Sequence, residues 1–273
     1  MKIKFYGTRG SIPTPGNENT KFGGNTSCSR VSFVNGRVGI FDAGTGIRNL
    51  GRDLQAWDLE QENVIIVLTH THWDHIQGFP FFAPVYDPRQ KFTVVFPGRR
   101  EGVTSLRDIF ATQMQEDFFP VPLDELAAEI DFWEPGVTSH ISDYGIKVDI
   151  IKHQHPGGAY SYRIEESGKV LVYCTDIEHG ETLDQAIVEL ARDADLLLHD
   201  AQYTPEELPG KKGWGHSSWE QAVEVAEKAG VKRLALSHHD PDHNDSFLQS
   251  VEEACQARFA DCFLAKEGIE VEI

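Results

Sequence analysis

Cysteine, positive charge and long apolar runs are all scarce in this chain of 273 residues. Its four cysteines, Cys28, Cys174, Cys255 and Cys262, contain no CxxC pair, which removes the usual signature of a cysteine-held zinc or a redox motif. They fall in segments that read as strand, turn or helix core, so reduced thiols and a cytoplasmic location are expected. Lys and Arg number 25 against 43 Asp and Glu, a formal charge of −18. Such an average field repels a long polyanion, so no long nucleic acid is expected as a partner, while small phosphates are not disfavoured. No stretch approaches the roughly 18 apolar residues that cross a bilayer, and the N-terminus Met1-Lys2-Ile3-Lys4-Phe5 has no apolar signal core, so no membrane association is expected. Repeats, low-complexity tracts and Ser/Gly linkers are also missing, and 1–273 reads as a single domain.

What is present alternates between strand and helix patterns. Lys2 to Tyr6, Arg30 to Phe33, Val38 to Phe41, Val64 to Thr69 and Phe92 to Phe96 are short β-branched or aromatic runs closed by turn formers. A second batch comprises Ile146 to Ile151, Tyr160 to Ile164, Val170 to Tyr173, Leu196 to Leu198 and Leu234 to Ser237, with helical spacing near 182–193, 217–229 and 246–257. Ser217 and Glu220 match a capping box at the start of the middle helix. Two batches of strands with helices predict an α/β chain of four layers, an αββα sandwich. Residues near 99–130 read as a helical insertion, and its stretch Phe118-Phe119-Pro120-Val121-Pro122 is apolar and stiff enough to overhang a pocket.

The chemistry concentrates after Val64-Ile65-Ile66-Val67-Leu68, where His70, His72, Asp74 and His75 place four potential ligands within six residues. Histidines two apart on an extended loop reach one cation, while Asp74 and His75 project from the following turn toward a second. A polar turn with solvated histidines is the alternative, and so dense a cluster at a strand end speaks against it.

The pattern His-x-His-x-Asp-His after an apolar strand resembles the signature of the metallo-β-lactamase superfamily, whose fold is the αββα sandwich. The similarity runs through nearly the whole chain. It implies that Asp42, in Phe41-Asp42-Ala43-Gly44-Thr45-Gly46, orders the metal loop without necessarily binding metal. It implies further ligands at His155 in His153-Gln154-His155-Pro156-Gly157-Gly158, with His153 behind it; at Asp176, whose two oxygens would bridge both cations; and at His238, with the adjacent His239 as the alternative one residue along the strand. The implied site holds one cation with His70, His72, His155 and Asp176, and the other with Asp74, His75, Asp176 and His238. Nitrogen and oxygen donors without cysteine suit zinc, and would also accept manganese or iron.

Gly215-His216-Ser217-Ser218 resembles the His-Ser/Thr motif of the tRNA 3′-endonuclease and phosphodiesterase branch, which makes His216 the expected proton donor to a leaving alkoxide. The Gly-rich run Phe22 to Cys28 also resembles that branch. The segment Asp200-Ala201-Gln202-Tyr203-Thr204-Pro205-Glu206-Glu207 reads as a wall of the site. The resulting expectation is a binuclear hydrolase that cleaves a small nucleotide diester, cyclic or mononucleotide, through a hydroxide shared by two cations, with Asp74 and His216 catalytic. A homodimer is compatible with it. Alternatives are a lactonase, thioesterase or β-lactamase acting at a carbonyl, and a nucleotide-binding sensor without turnover.

Overall fold

A computed structural model describes residues 1–55, 64–98, 105–135, 140–143 and 145–273. The strands are β1 (Lys2–Gly7), β2 (Cys28–Ser32), β3 (Val38–Phe41), β4 (Val64–Val67), β5 (Lys91–Val95), β6 (Glu129–Trp133), β7 (His140–Asp143), β8 (Ile146–His153), β9 (Ala159–Glu166), β10 (Lys169–Cys174), β11 (Leu196–Asp200), β12 (Leu234–Ser237), β13 (Cys262–Leu264) and β14 (Glu270–Glu272). The helices are α1 (Ile47–Gln55), α2 (Trp73–Ile76), α3 (Leu106–Gln113), α4 (Gln185–Leu190), α5 (Trp219–Ala229) and α6 (Asp245–Arg258). Among the described residues the strands form two seven-stranded sheets, ordered β14-β1-β2-β3-β4-β5-β6 and β13-β12-β11-β10-β9-β8-β7. The C-terminal β14 pairs antiparallel with β1, so the two ends of the chain share one sheet.

Apolar faces of both sheets meet in one core, where Phe41 packs against Tyr162 and Tyr173 across the layers. A second core lies between the other face of the second sheet and α4, α5 and α6, built from Val172, Leu197, Leu236, Ala222, Val223 and Leu248. The result is the αββα sandwich. No helix among the described residues is long and apolar enough to cross a membrane.

Parallel pairing is what builds the site. β3 and β4 run parallel in the first sheet, as do β10, β11 and β12 in the second. β3, β11 and β12 are buried at nearly every position, the continuous apolar run expected of a parallel strand covered on both faces. Parallel strands end at the same edge, and ligands of open α/β sheets gather outside such carboxyl ends. Asp42 follows β3, the His70–His75 loop follows β4, Asp176 follows β10, Asp200 ends β11 and His238 follows β12.

Several expectations are corrected. The capping box of α5 uses Ser218 and Gln221, one residue beyond Ser217 and Glu220, because Ser217 is drawn away: its amide donates to Asp200 Oδ1 at 2.8 Å and its hydroxyl to the Ile177 carbonyl at 2.6 Å. The stretch 99–130 is only partly helical, with α3 as its longest helix and β6 beginning at Glu129; residues 99–104 lie outside the described residues. Phe118 is exposed, and Phe119 meets Phe81 edge-on at 5.5 Å. The Gly-rich run after Phe22 braces loops: Asn25 donates to Glu267 from its amide and side chain, and Thr26 exchanges hydrogen bonds with Thr45.

Reduced thiols were expected throughout, but Cys255 and Cys262 form a disulfide, with Cα atoms 6.3 Å apart where the end of α6 folds back onto β13. Only Cys28 and Cys174 are free, and both are buried. The bridge removes thiol chemistry as support for a cytoplasmic location. Closing so short a loop stabilises by about 2 kcal/mol in the chain-entropy picture. Reduction, or Cys255→Ser, should therefore lower the thermal midpoint by about 4–8 °C, scaled for a chain of this size. An unchanged melting curve in reductant would show that the crosslink contributes nothing to stability.

Candidate metal centre

Several site residues occupy strained backbone at the strand ends. Asp42, Asp176 and His238 have φ of 61°, 58° and 65°, and Ser11, whose amide donates to Asp74 Oδ2 at 2.8 Å, has φ of 65°. Left-handed backbone at non-glycine residues costs of order 1 kcal/mol or more each and persists where the surroundings enforce it. At these strand ends the strained residues' own side chains face the cluster: Asp176 and His238 belong to it, and Asp42 meets His75.

Seven of the residues singled out in the sequence come together here. The imidazoles of His70, His72 and His155 form one group of convergent ligand atoms, and Asp74, His75, Asp176 and His238 form another. His72 Nδ1 lies 3.0 Å from His155 Nε2. His238 Nε2 lies 3.2 Å from Asp74 Oδ2 and 3.1 Å from Asp176 Oδ1; His75 Nε2 lies 3.4 Å from Asp74 Oδ2 and 3.3 Å from Asp176 Oδ2. Asp176 Oδ1 is also 3.8 Å from His70 Nε2, so this carboxylate faces both groups.

A buried imidazole presents a lone pair inward only if its other nitrogen is held as a donor. His75 gives Nδ1 to Asp42 at 2.9 Å, and His155 gives Nδ1 to the Gly215 carbonyl at 2.8 Å. His238 Nδ1 meets Gln202 Oε1 at 3.1 Å. His70 Nδ1 meets Thr69 Oγ1 at 3.1 Å, a hydroxyl already committed as donor to Asp42. Each of these four rings therefore points Nε2 into the cluster. His70 Nε2 is buried with no hydrogen-bond partner, an orphaned lone pair that a cation would satisfy.

Electrostatics sort the two groups. Burial, with added repulsion from neighbouring histidines, pushes His70 well below the ordinary imidazole range and His72 down to about 4, and burial lowers His155, so these three are neutral donors. Burial also opposes charge on His75 and His238, but Asp176, Asp74 and other carboxylates outweigh it, holding His75 well above its usual value and His238 at about 9. Asp176 and Asp74 are held low despite burial by the same histidines. The carboxylates thus demand positive charge, which protons supply on His75 and His238 and which divalent cations would supply better. The donor set and the orphaned nitrogen fit two such ions.

His239 is turned out of the cluster, its Nε2 donating to the Ala265 carbonyl at 2.9 Å. His153 is buried behind His155. His216 lies beside the cluster, stacked on His238 at 4.8 Å between centroids, and its Nδ1 is 2.8 Å from Asp200 Oδ2. It precedes the N-cap of α5 and is not part of that helix. The sequence left Asp200 and Gln202 as wall residues; the structure gives them definite tasks, orienting His216 and His238. The parallel β10–β11–β12 register that lines up Asp176, Asp200 and His238 was the missing signal. Thr69 and the Gly215 carbonyl act through contacts that no local motif advertises.

Gly215 has φ of 91°, and a Cβ there would sit 2.2 Å from His155 Nδ1. Gly215→Ala should therefore push His155 off its carbonyl partner. Loss of an orienting hydrogen bond of this kind costs 10–100-fold in metal affinity. Equilibrium dialysis should register that drop in one of two bound ions, and unchanged stoichiometry and affinity would refute His155 as a ligand.

The profile of the Beta-lactamase superfamily domain matches residues 39–239. A ribonuclease Z of Haloarcula marismortui is 24% identical over 99% of this chain and 96% of its own length. Human tRNase Z, short form, superposes with a TM-score of 0.71 at 20% identity over 100% of this chain and 99% of that one. A diphosphatase of the PhnP family gives a TM-score of 0.71 at 19% identity, covering 100% and 97%. The expectation of a small diester with no long nucleic acid is overturned by these ribonuclease relatives. Its error was physical: a net charge of −18 averages over the whole surface and does not report the field at a cleft where cations are held.

Proposed function

The chain belongs to the beta-lactamase superfamily and is a metal-dependent hydrolase, and from that premise we propose that residues 1–273 act as one domain cleaving phosphodiester bonds in RNA. The observation that carries this reading is the Asp200–His216 pair set against the convergent ligand cluster. Attack at phosphorus expels a poor alkoxide, which needs a proton; a fixed imidazole at the edge of the cluster is placed to give one. The ribonuclease relatives supply the substrate class.

His70, His72 and His155 would hold one cation, Asp74, His75 and His238 the other, and Asp176 would serve both; zinc suits this donor set best. Two bound divalent cations would acidify a water at neutral pH and neutralise charge on the phosphate oxygens. Asp74 is oriented by the Ser11 amide. Asp200 accepts His216 Nδ1–H and so aims Nε2 at the leaving oxygen, while the Ser217 amide holds the other Asp200 oxygen.

The test is turnover of short single-stranded RNA and of bis-p-nitrophenyl phosphate by protein reconstituted separately with zinc and manganese. Metal-dependent cleavage of both is expected. Protein shown to hold two ions that leaves both diesters intact while opening a lactone or thioester would reject the reading in favour of carbonyl chemistry.

A further inference from the structure

Water-exposed tryptophan is uncommon, and its placement is informative when it borders a site. Trp73 is 66% exposed and lies between the site residues His72 and Asp74; Trp214 is 59% exposed and lies next to Gly215, whose carbonyl holds His155. Because His72 and His155 approach within 3.0 Å of each other, the two backbone segments that carry these exposed indoles border the same cluster from distant parts of the sequence. Neither is needed for packing.

The loop that carries Trp214 is built to hold it still. Glu178 accepts from the Gly213 amide at 2.7 Å and from the Gly215 amide at 2.8 Å, one on each carboxylate oxygen, and the Trp214 amide donates to the Lys211 carbonyl at 3.0 Å. Lys211 Nζ lies 4.4 Å over the Trp214 ring and 5.3 Å over the Tyr203 ring, and Tyr203 in turn meets His216 at 6.0 Å between centroids. A continuous run thus joins the expected proton donor to an ammonium group and then to an open indole face. Among the described residues Lys211 makes no ion pair with a carboxylate within 4.0 Å. An aromatic face beside a cation is the combination that single-stranded nucleic acids use, stacking a base while the ammonium meets a phosphate.

We propose that Trp73 and Trp214 form a base-stacking clamp at the mouth of the metal centre, with Lys211 contacting the adjacent phosphate, so that the substrate is a single-stranded ribonucleotide segment recognised by its bases without sequence readout. The proposal rests on the phosphodiester reading for its substrate class, and its test separates the two.

Full-length, metal-loaded protein is titrated into a fluorescein-labelled, phosphorothioate-linked adenosine tetranucleotide that resists cleavage, and into the same backbone with abasic sugars, with anisotropy as the readout. The titrations are repeated after chelation. The native protein should bind the adenosine tetramer about tenfold more tightly than the abasic one. Trp214→Ala and Trp73→Ala should each remove most of that preference, and Trp214→Phe should retain it, because phenylalanine keeps a stacking face. Lys211→Ala should weaken both ligands alike and reduce the salt dependence of binding. Equal binding of base-bearing and abasic backbones, or a preference that survives both alanine variants, overturns the clamp. Hydrolysis of methyl p-nitrophenyl phosphate, which carries no base, is followed in parallel. Turnover without any base preference rejects the clamp and leaves the hydrolysis reading standing; base preference without turnover does the reverse.

Discussion

His216→Ala should lower kcat for RNA by about 10²–10⁴-fold, the range a positioned general acid contributes, while KM changes little. The same variant should lose far less on a diester that expels p-nitrophenolate, because that leaving group departs without a proton. The contrast separates proton donation from a mere structural contribution of the ring, which would depress both substrates equally. Asp200→Asn should share the leaving-group dependence with a smaller loss: the amide leaves His216 in place but no longer enforces donation from Nε2. Steady-state kinetics on the two substrates decide the matter, and equal losses on both would remove His216 from the chemistry.

Asp176→Ala should abolish binding of both cations, because Asp176 alone faces His70 on one side and His75 and His238 on the other. Its effect should exceed the 10–100-fold that loss of an outer partner costs, and activity should fall to background. In the native protein, cations at about 100 times Kd should stabilise the fold by about 2.7 kcal/mol through mass action; the variant should show no such rise in its thermal midpoint. Elemental analysis of dialysed protein gives the stoichiometry directly. An Asp176→Ala protein that retains two ions would reassign the bridge.

This site also fixes a pH dependence. His238 holds its proton up to about 9 in the metal-free protein, and His75 is raised as well, so a cation must displace protons to bind. Apparent affinity should rise with pH at least until about 9, where His238 gives up its proton. The folding contribution has the matching sign: the raised histidines stabilise the metal-free protein fully below the unfolded value near 6.5, and that contribution is lost as pH rises through their folded values, about 9 for His238. Asp74 and Asp176, held low, contribute above the unfolded carboxylate value near 3.9 and fail as pH falls through their folded values. Proton release on zinc addition, followed with an indicator dye at pH 7, checks the first statement.

Local pattern reached a good part of the molecule. Val38–Phe41 and Leu234–Ser237 are strands with the ends the sequence indicates, since apolar runs closed by turn formers carry their own boundaries. β6, β13 and β14 escaped because a strand paired at the edge of a sheet needs little hydrophobicity of its own; Glu270–Glu272 carries only Val271 inward. Helix α1 was likewise passed over, with Arg, Asn, Gly and Asp interrupting its apolar positions.

By itself the sequence determined the dense cluster of potential ligands at His70–His75, because its residues are neighbours along the chain and their chemistry needs no folding to be read. It also determined which residue types could hold cations. Only the tertiary structure decided which of His238 and His239 turns inward, since adjacent side chains leave a strand on opposite faces and the left-handed backbone at His238 settles the direction. It alone paired Cys255 with Cys262, shifted the cap of α5 to Ser218, and set Asp200 behind His216. These relations are distances between segments far apart in the chain, and parallel strand register, which no local pattern encodes, is what brings those segments to one edge.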